Sequence, residues 1–411
     1  MSDASLPPQK IDWRTPVVVI IAGCLIAMIG FGIRSTFGLF LEPMTVDRGW
    51  DRETFGLALA IQNLLWGLGV PIAGMIADKY GPSRVMIVGA LCYFAGVYGM
   101  AEITSASALH LFAGVLTGIG VAFTSFSLAM AAMAKVVGPE RRSIALGLGT
   151  AAGSFGQVVF SPLGQYFIAT YGWEMALLLL AASAIVIIPL ALILPRDVNA
   201  KGEAASNQTM SEALAEATTN KSYILLTTGF FVCGFHVAFI TVHFPAYISD
   251  LGLDASVGAT ALALIGLFNI AGSFGSGVIG QKWSKRSTLS SIYALRAAVI
   301  MFLLLSPPSP MTIYIFAGAM GLLWLSTVPL TTGIVAQVFG ARYMATLYGI
   351  VFLSHQLGSF LGVWLGGYLY DNVGSYDGIW WAGVALGVAA AIIHLPINEK
   401  PLARLSASSS S

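Results

Sequence analysis

The chain has 411 residues, of which 57% are hydrophobic and only 9% charged, against roughly 25% charged residues in soluble domains. Lys and Arg total 20 and Asp and Glu total 19, a net charge of +1, so no basic excess exists to neutralise phosphates. This composition excludes a soluble globular protein, a disordered chain and a nucleic-acid binder, and leaves a bundle of helices that each cross a bilayer with ~20 apolar residues.

The first apolar run, 15–41, carries one charge, Arg34. Charge-free stretches follow at 54–77, 85–101, 103–134, 143–173, 175–195, 222–249, 255–281, 343–370 and 378–398. The stretch 287–341 carries one charge, Arg296, and its Pro307-Pro308-Ser309-Pro310 divides it into two spans. Twelve spans are therefore predicted: roughly 16–40, 54–77, 85–104, 108–134, 143–168, 173–194, 222–248, 256–280, 288–305, 311–338, 343–370 and 378–397. The 46 glycines suit close helix packing in lipid. Cys24, Cys92 and Cys233 all fall in apolar runs, so no disulfide and no metal site is expected.

With the N-terminus inside, 16 of the 20 Lys and Arg fall on cytoplasmic segments and only Arg48 and Arg52 on outer loops. This bias places both termini in the cytoplasm. The first span is too long for a signal peptide and no small-residue cleavage pattern follows it. The absence of a transit peptide points to a plasma (inner) membrane, as in bacteria. The polar stretch 196–221 reads as a linker, with an amphipathic SEALAEAT segment lying at the surface. The predicted organisation is an N-terminal six-helix half over 1–195, the cytoplasmic linker over 196–221 and a C-terminal six-helix half over 222–411.

The halves match at a nearly constant offset. At 202 residues, Gly138 pairs with Gly340, Gly147 with Gly349, Gly156 with Gly358, Tyr166 with Tyr368 and Gly172 with Gly374. At 203, GMIADKYGPSR (74–84) resembles GVIGQKWSKRS (277–287). A two-fold repeat of six spans with both termini inside is the architecture of an alternating-access carrier.

The segment from Gly74 through Asp78 and Gly81 to Arg84 resembles the signature loop of the major facilitator superfamily. Gly153, Gly156, Ser161-Pro162 and Gly164 resemble its glycine-proline motif in the fifth helix. Within that superfamily, the segments beginning at Arg34 (RSTFGLF), Gly234 (GFHVAFITVHFPAY) and Gly366 (GGYLYD) resemble the monocarboxylate and oxalate–formate porter branch. The resemblance implies an all-α membrane protein of twelve transmembrane helices in two pseudo-symmetric halves. It also implies first and seventh helices facing a central cavity, and a peripheral ninth helix. The eighth span holds Asn269 and Ser273 where monocarboxylate carriers place an Asp or Asn and an Arg.

No carboxylate lies mid-span, so the embedded charges are Arg34 and Arg296, with His236, His243, His355 and His394 as titratable neutrals. A buried charge costs several kcal/mol unless compensated, which favours an anionic substrate over a cationic one. The repeat sets Arg34 opposite His236, and both are candidate substrate ligands; the alternative for Arg34 is snorkelling to the interface. His243 shares a helix face with His236 and precedes Pro245, which is expected to break or kink the helix. Further candidates are Asn269, Gln157, Tyr348, His355 and Arg296, with interhelical hydrogen bonding as the other role open to Asn269, Gln157 and Arg296. Asp78, Arg84, Glu140, Arg141 and Arg142 are candidate gating residues; for Arg141 and Arg142 ordinary positive-inside topology is the other reading.

These features predict a non-enzymatic secondary carrier for a small organic anion, with a carboxylate the leading class. No phosphate loop is present, and no carboxylate pair, metal cluster or nucleophile–base set appears within the spans. The expected partners are the anion, a proton or a counter-anion, and the lipid bilayer, with no cofactor, and the carrier is expected to be a monomer. An exporter of hydrophobic or drug-like compounds is the alternative.

Overall fold

The computed structural model describes residues 15–136, 142–194, 208–340, 343–403 and 405. Among them it is helical throughout, with no strand. The first span is α1 (Pro16–Ser35), a 3-10 turn (Phe37–Phe40) and α2 (Leu41–Arg48). Then come α3 (Arg52–Tyr80), α4 (Pro82–Glu102), the short α5 (Ala106–Leu109), a π-helical stretch (His110–Leu116), α6 (Thr117–Phe123), α7 (Phe126–Val136), α8 (Arg142–Ile185) and α9 (Ile187–Ile193). The linker helix α10 (Met210–Thr219) leads into α11 (Lys221–Asp250), α12 (Ala255–Lys282), α13 (Lys285–Leu305), α14 (Pro310–Leu323), α15 (Thr327–Phe339), α16 (Met344–Val373) and α17 (Asp377–His394).

Eleven helical stretches of the described chain are long and apolar enough to cross a membrane, and one of them, Gly147–Ile193, has 47 residues. A crossing needs ~20. This stretch turns back at Gly172, whose φ is 82°, so twelve spans result. In lipid each run must satisfy its own backbone, which makes it helical whatever its propensity. Polar residues set the ends: Asn220, Asp254, Ser284 and Ser309 each accept a backbone N–H at a helix start.

Two groups of six spans face each other, with α3 packed on α16, α8 on α12, and the Phe37–Phe40 turn on α11. The linker end bears α10 and residues 395–403; the far end lies opposite. The two groups are pressed together from the far end to mid-span. Gly38 passes so close to α11 that a methyl group there would overlap the carbonyl oxygens of Thr241 and Val242. Pro245 has no N–H to give Thr241, so this close approach meets a carbonyl the proline leaves free. Of the break or kink expected at Pro245, the break does not occur: α11 runs as one helix from Lys221 to Asp250. A methyl group on Gly67 of α3 would sit 2.7 Å from Gln356 of α16. Seven residues on, along the same faces, Gly74 and Gly349 have nothing within 4 Å. The two helices are therefore in contact at mid-span and parted toward the linker end.

Two spans are interrupted at positions 202 residues apart. The fourth span breaks between α6 and α7 at Thr124-Ser125, and the tenth between α14 and α15 at Trp324-Leu325-Ser326. Hydroxyls take up nearby backbone: Thr124 donates to Gly120 O at 2.7 Å and Ser326 to Leu322 O at 2.6 Å. Irregular backbone at membrane depth is tolerated only where protein or a cavity satisfies it.

Candidate functional site at the mid-span seam

Arg34 stands in the last turn of α1, which Ser35 and Thr36 end by bonding back to Gly32 O and Ile33 O, both at 2.7 Å. The residue is 8% exposed; its side chain turns to α3 and does not snorkel. Its Nη2 donates to Asn63 Oδ1 at 2.5 Å, its guanidinium lies 4.6 Å from the Trp66 ring centroid, and its Nε has no partner. Asn63 is held in turn by donating to Leu59 O at 2.8 Å. An amide oxygen and an aromatic face ease the burial of a cation without neutralising it.

Trp66 carries the contact across the seam, meeting Phe352 of α16 edge-on at 5.5 Å. Phe352 stacks on His355 at 5.7 Å and lies 6.4 Å from Tyr348. One turn along, Gln356 lies over Gly67, fully buried, and neither of its amide atoms has a partner. Trp66 Nε1 is also unpartnered. Arg34, Asn63, Trp66, Phe352 and Gln356 thus form one run of contacts with three side chains left short of polar partners.

The other candidates lie elsewhere. His236 bonds through Nε2 to Gly383 O at 2.8 Å and packs on Gly383 and Gly387 of α17, so the structure does not bring it to Arg34. His243 has both ring nitrogens engaged, by Val363 O at 2.7 Å and Tyr376 Oη at 3.1 Å. Arg296 is fully buried and caps the break in the tenth span, donating to Leu323 O at 2.7 and 3.1 Å and to Trp324 O. Asn269 holds the same break from the other side, accepting from Leu325 N at 3.0 Å and donating to Ser154 Oγ at 2.9 Å. Gln157 donates to Leu262 O at 2.7 Å. Asn269 and Gln157 therefore bond between helices, across the seam. Arg84 is exposed beside a cleft of about 450 Å³ between the Gly81 turn and Leu192 of α9. Glu140 and Arg141 fall outside the described residues, as do the side chains of Asp78 and Arg142.

Asn63 and Trp66 escaped the sequence reading, though an Asn inside a charge-free run and a Trp far from either interface were both visible.

The far end is closed by a polar latch. Arg52 donates to both carboxylate oxygens of Asp250, at 2.6 and 2.7 Å, and to Tyr376 Oη at 3.0 Å. Asp371 accepts from the backbone N–H of Arg52 at 3.2 Å and of Glu53 at 2.6 Å.

The Major Facilitator Superfamily model matches residues 22–363. The chain belongs to this superfamily. It is a membrane transporter and not an enzyme. It is 24% identical over 372 residues to the rat protein named monocarboxylate transporter 13, covering 87% of this chain and 83% of the relative. It is 22% identical over 366 residues to the oxalate:formate antiporter of Oxalobacter formigenes, covering 88% and 86%. The fold matches a D-xylose-proton symporter with a TM-score of 0.74 at 15% identity, covering 94% of this chain and 99% of that one. It also matches a bacterial homologue of the human lysosomal transporter Spinster, in an inward-facing and unoccupied conformation, with a TM-score of 0.73 at 16% identity, covering 92% and 95%.

Proposed function

We propose that this transporter carries a small organic anion bearing a carboxylate, by alternating exposure of a site centred on Arg34. The observation that carries the reading is a buried cation at the seam between the two groups of spans with an amide and a ring, and no carboxylate, as its neighbours. An anion supplies the compensation that such a charge otherwise lacks. Arg296 donates through Nε and Nη2 to the Leu323 and Trp324 carbonyls, with only Nη1 unpartnered, so we take the site to offer one positive charge, matched to one carboxylate. Trp66 and Phe352 offer an apolar wall for the rest of the ligand. Relatives named for monocarboxylates and for oxalate and formate agree with the anionic class.

The two six-helix halves, 1–195 and 222–411, rock about this seam, joined by the linker 196–221. The Lys and Arg bias supports a cytoplasmic linker end, in our reading that of a plasma membrane, and in that orientation the described state faces inward. Asp78, Arg84, Glu140, Arg141 and Arg142 form the inner gate. The carrier works as a monomer, with proton–anion symport preferred over anion exchange.

The test is uptake into proteoliposomes of labelled formate, lactate and oxalate, driven first by a pH gradient alone and then by internal anion alone. Symport predicts accumulation in the first arm; exchange predicts it in the second. Uptake of an organic cation with no uptake of any carboxylate would overturn the assignment.

A further inference from the structure

His243 is fully buried and joined to the far-end latch by a directed chain of hydrogen bonds. Its Nε2 lies 2.7 Å from Val363 O. A carbonyl only accepts, so Nε2 carries the hydrogen and, in the neutral ring, Nδ1 is an acceptor. The partner of Nδ1 at 3.1 Å is the Tyr376 hydroxyl, which must therefore donate to it. The same hydroxyl oxygen accepts from Arg52 Nη1 at 3.0 Å, and Arg52 is bidentate to Asp250. Every bond in the chain Arg52, Tyr376, His243, Val363 has its direction fixed, and the one from the Tyr376 hydroxyl to Nδ1 requires a neutral imidazole.

The chain crosses the seam. Arg52 belongs to α3, while Asp250 and His243 belong to α11, Val363 to α16, and Tyr376 precedes α17. The ring also touches α3, since a methyl group on Gly56 would sit 3.6 Å from Nε2. Tyr376 is the titratable group against the His243 ring; around Tyr376 the latch adds Arg52 and Glu53 from α3, Tyr370 and Asp371 at the end of α16, and Tyr247 and Asp250 further along α11. Arg52 reaches the ring through the Tyr376 hydroxyl, and its guanidinium also lies 3.7 Å from the Tyr370 centroid.

We propose that His243 is a proton-responsive switch for this latch. A proton on Nδ1 turns the acceptor into a donor. Tyr376 can then no longer donate to it, and its hydroxyl must reorient so that the oxygen faces two donors, Arg52 and the protonated ring. The ring gains a positive charge one hydroxyl away from the guanidinium, and repulsion between the two cations disfavours the closed latch. The neutral ring fits the closed far end and the cation does not, so acid opens the far end by shifting the population toward the parted state.

The experiment reads the separation of the halves. Cys24→Ser and Cys92→Ser leave only the buried Cys233; spin labels then go on Glu102→Cys, at the far end of α4, and Leu305→Cys, at the far end of α13, both exposed. In lipid nanodiscs the distance distribution is measured at about pH 5 and about pH 8, either side of the ordinary histidine range near ~6.5. The expected result is a several-fold larger long-distance population in acid, abolished in His243→Gln and reduced in Tyr376→Phe. Asp250→Asn is expected to give the long distance at both pH values. A pH-independent distribution in the unsubstituted protein overturns the proposal. So does a full pH response surviving in both His243→Gln and Tyr376→Phe, which would make a latch carboxylate the sensor.

Discussion

Asn63 of α3 accepts the hydrogen bond that Arg34 of α1 donates at 2.5 Å, and it does so without carrying a charge. The guanidinium is positioned but not neutralised. Replacing Asn63 by Asp puts a carboxylate of nearly the same shape at that place, where it competes with the anionic ligand for Arg34. Asn63→Asp is expected to weaken carboxylate binding by about tenfold or more, equal to ~1.4 kcal/mol, while Asn63→Ser keeps most of it. Equilibrium binding to the purified protein checks both.

Arg296 has a different task. It satisfies the Leu323 and Trp324 carbonyls freed where the tenth span breaks. Arg296→Met leaves them buried and unpartnered at ~1–3 kcal/mol each. The variant should melt several degrees lower in detergent, with carboxylate affinity within about threefold for the fraction that remains folded. A large loss of affinity at normal melting temperature would instead make Arg296 a ligand contact.

Gly67 and Gln356 set how closely the halves meet at mid-span, with room for no side-chain carbon between them. Gly67→Leu should hold the seam apart. Uptake is expected to fall by about tenfold or more, and the distance between labels at positions 102 and 305 should lengthen at every pH. An unaltered distance with normal uptake would show that the closed seam is not a working state.

Much of this was legible because lipid makes composition decisive. Twelve spans follow from where charges stop, and Arg34 and Arg296 stood out as the lone charges within apolar runs. The breaks at Thr124-Ser125 and Trp324-Ser326 were not legible, because neither holds a proline, a glycine or a charge, and a few hydroxyl residues do not interrupt an apolar run. Pro245 shows the opposite case, a proline that does not end its helix. The far-end latch was invisible for a third reason. Arg52 and Asp250 read as ordinary loop charges, and nothing local tells that residues 198 positions apart form a bidentate pair. Asn63 and Trp66 matter because they face Arg34, a fact of packing and not of pattern.

At the linker end, the segment from Gly74 to Arg84, which is the end of α3 and the start of α4 joined at Gly81, carries the gating proposal. Asp78→Asn and Arg84→Gln are expected to slow uptake by about tenfold while changing affinity by less than about threefold, because they alter the balance of states and not the ligand's contacts. Pre-steady-state uptake alongside equilibrium binding separates the two effects. Lost affinity with unaltered turnover would remove these residues from the gate.

The central claim is that Arg34 compensates the charge of a carboxylate. The measurement that tests it most directly is a binding titration of Arg34→Gln and Arg34→Lys with whichever of formate, lactate or oxalate the unsubstituted protein transports. Arg34→Gln should bind at least ~100-fold more weakly, about 2.7 kcal/mol, with its melting temperature unaltered or raised, since a buried charge has been removed. Arg34→Lys should recover part of that affinity, because the charge returns without the forked geometry. Binding by Arg34→Gln as tight as that of the unsubstituted protein would contradict the account.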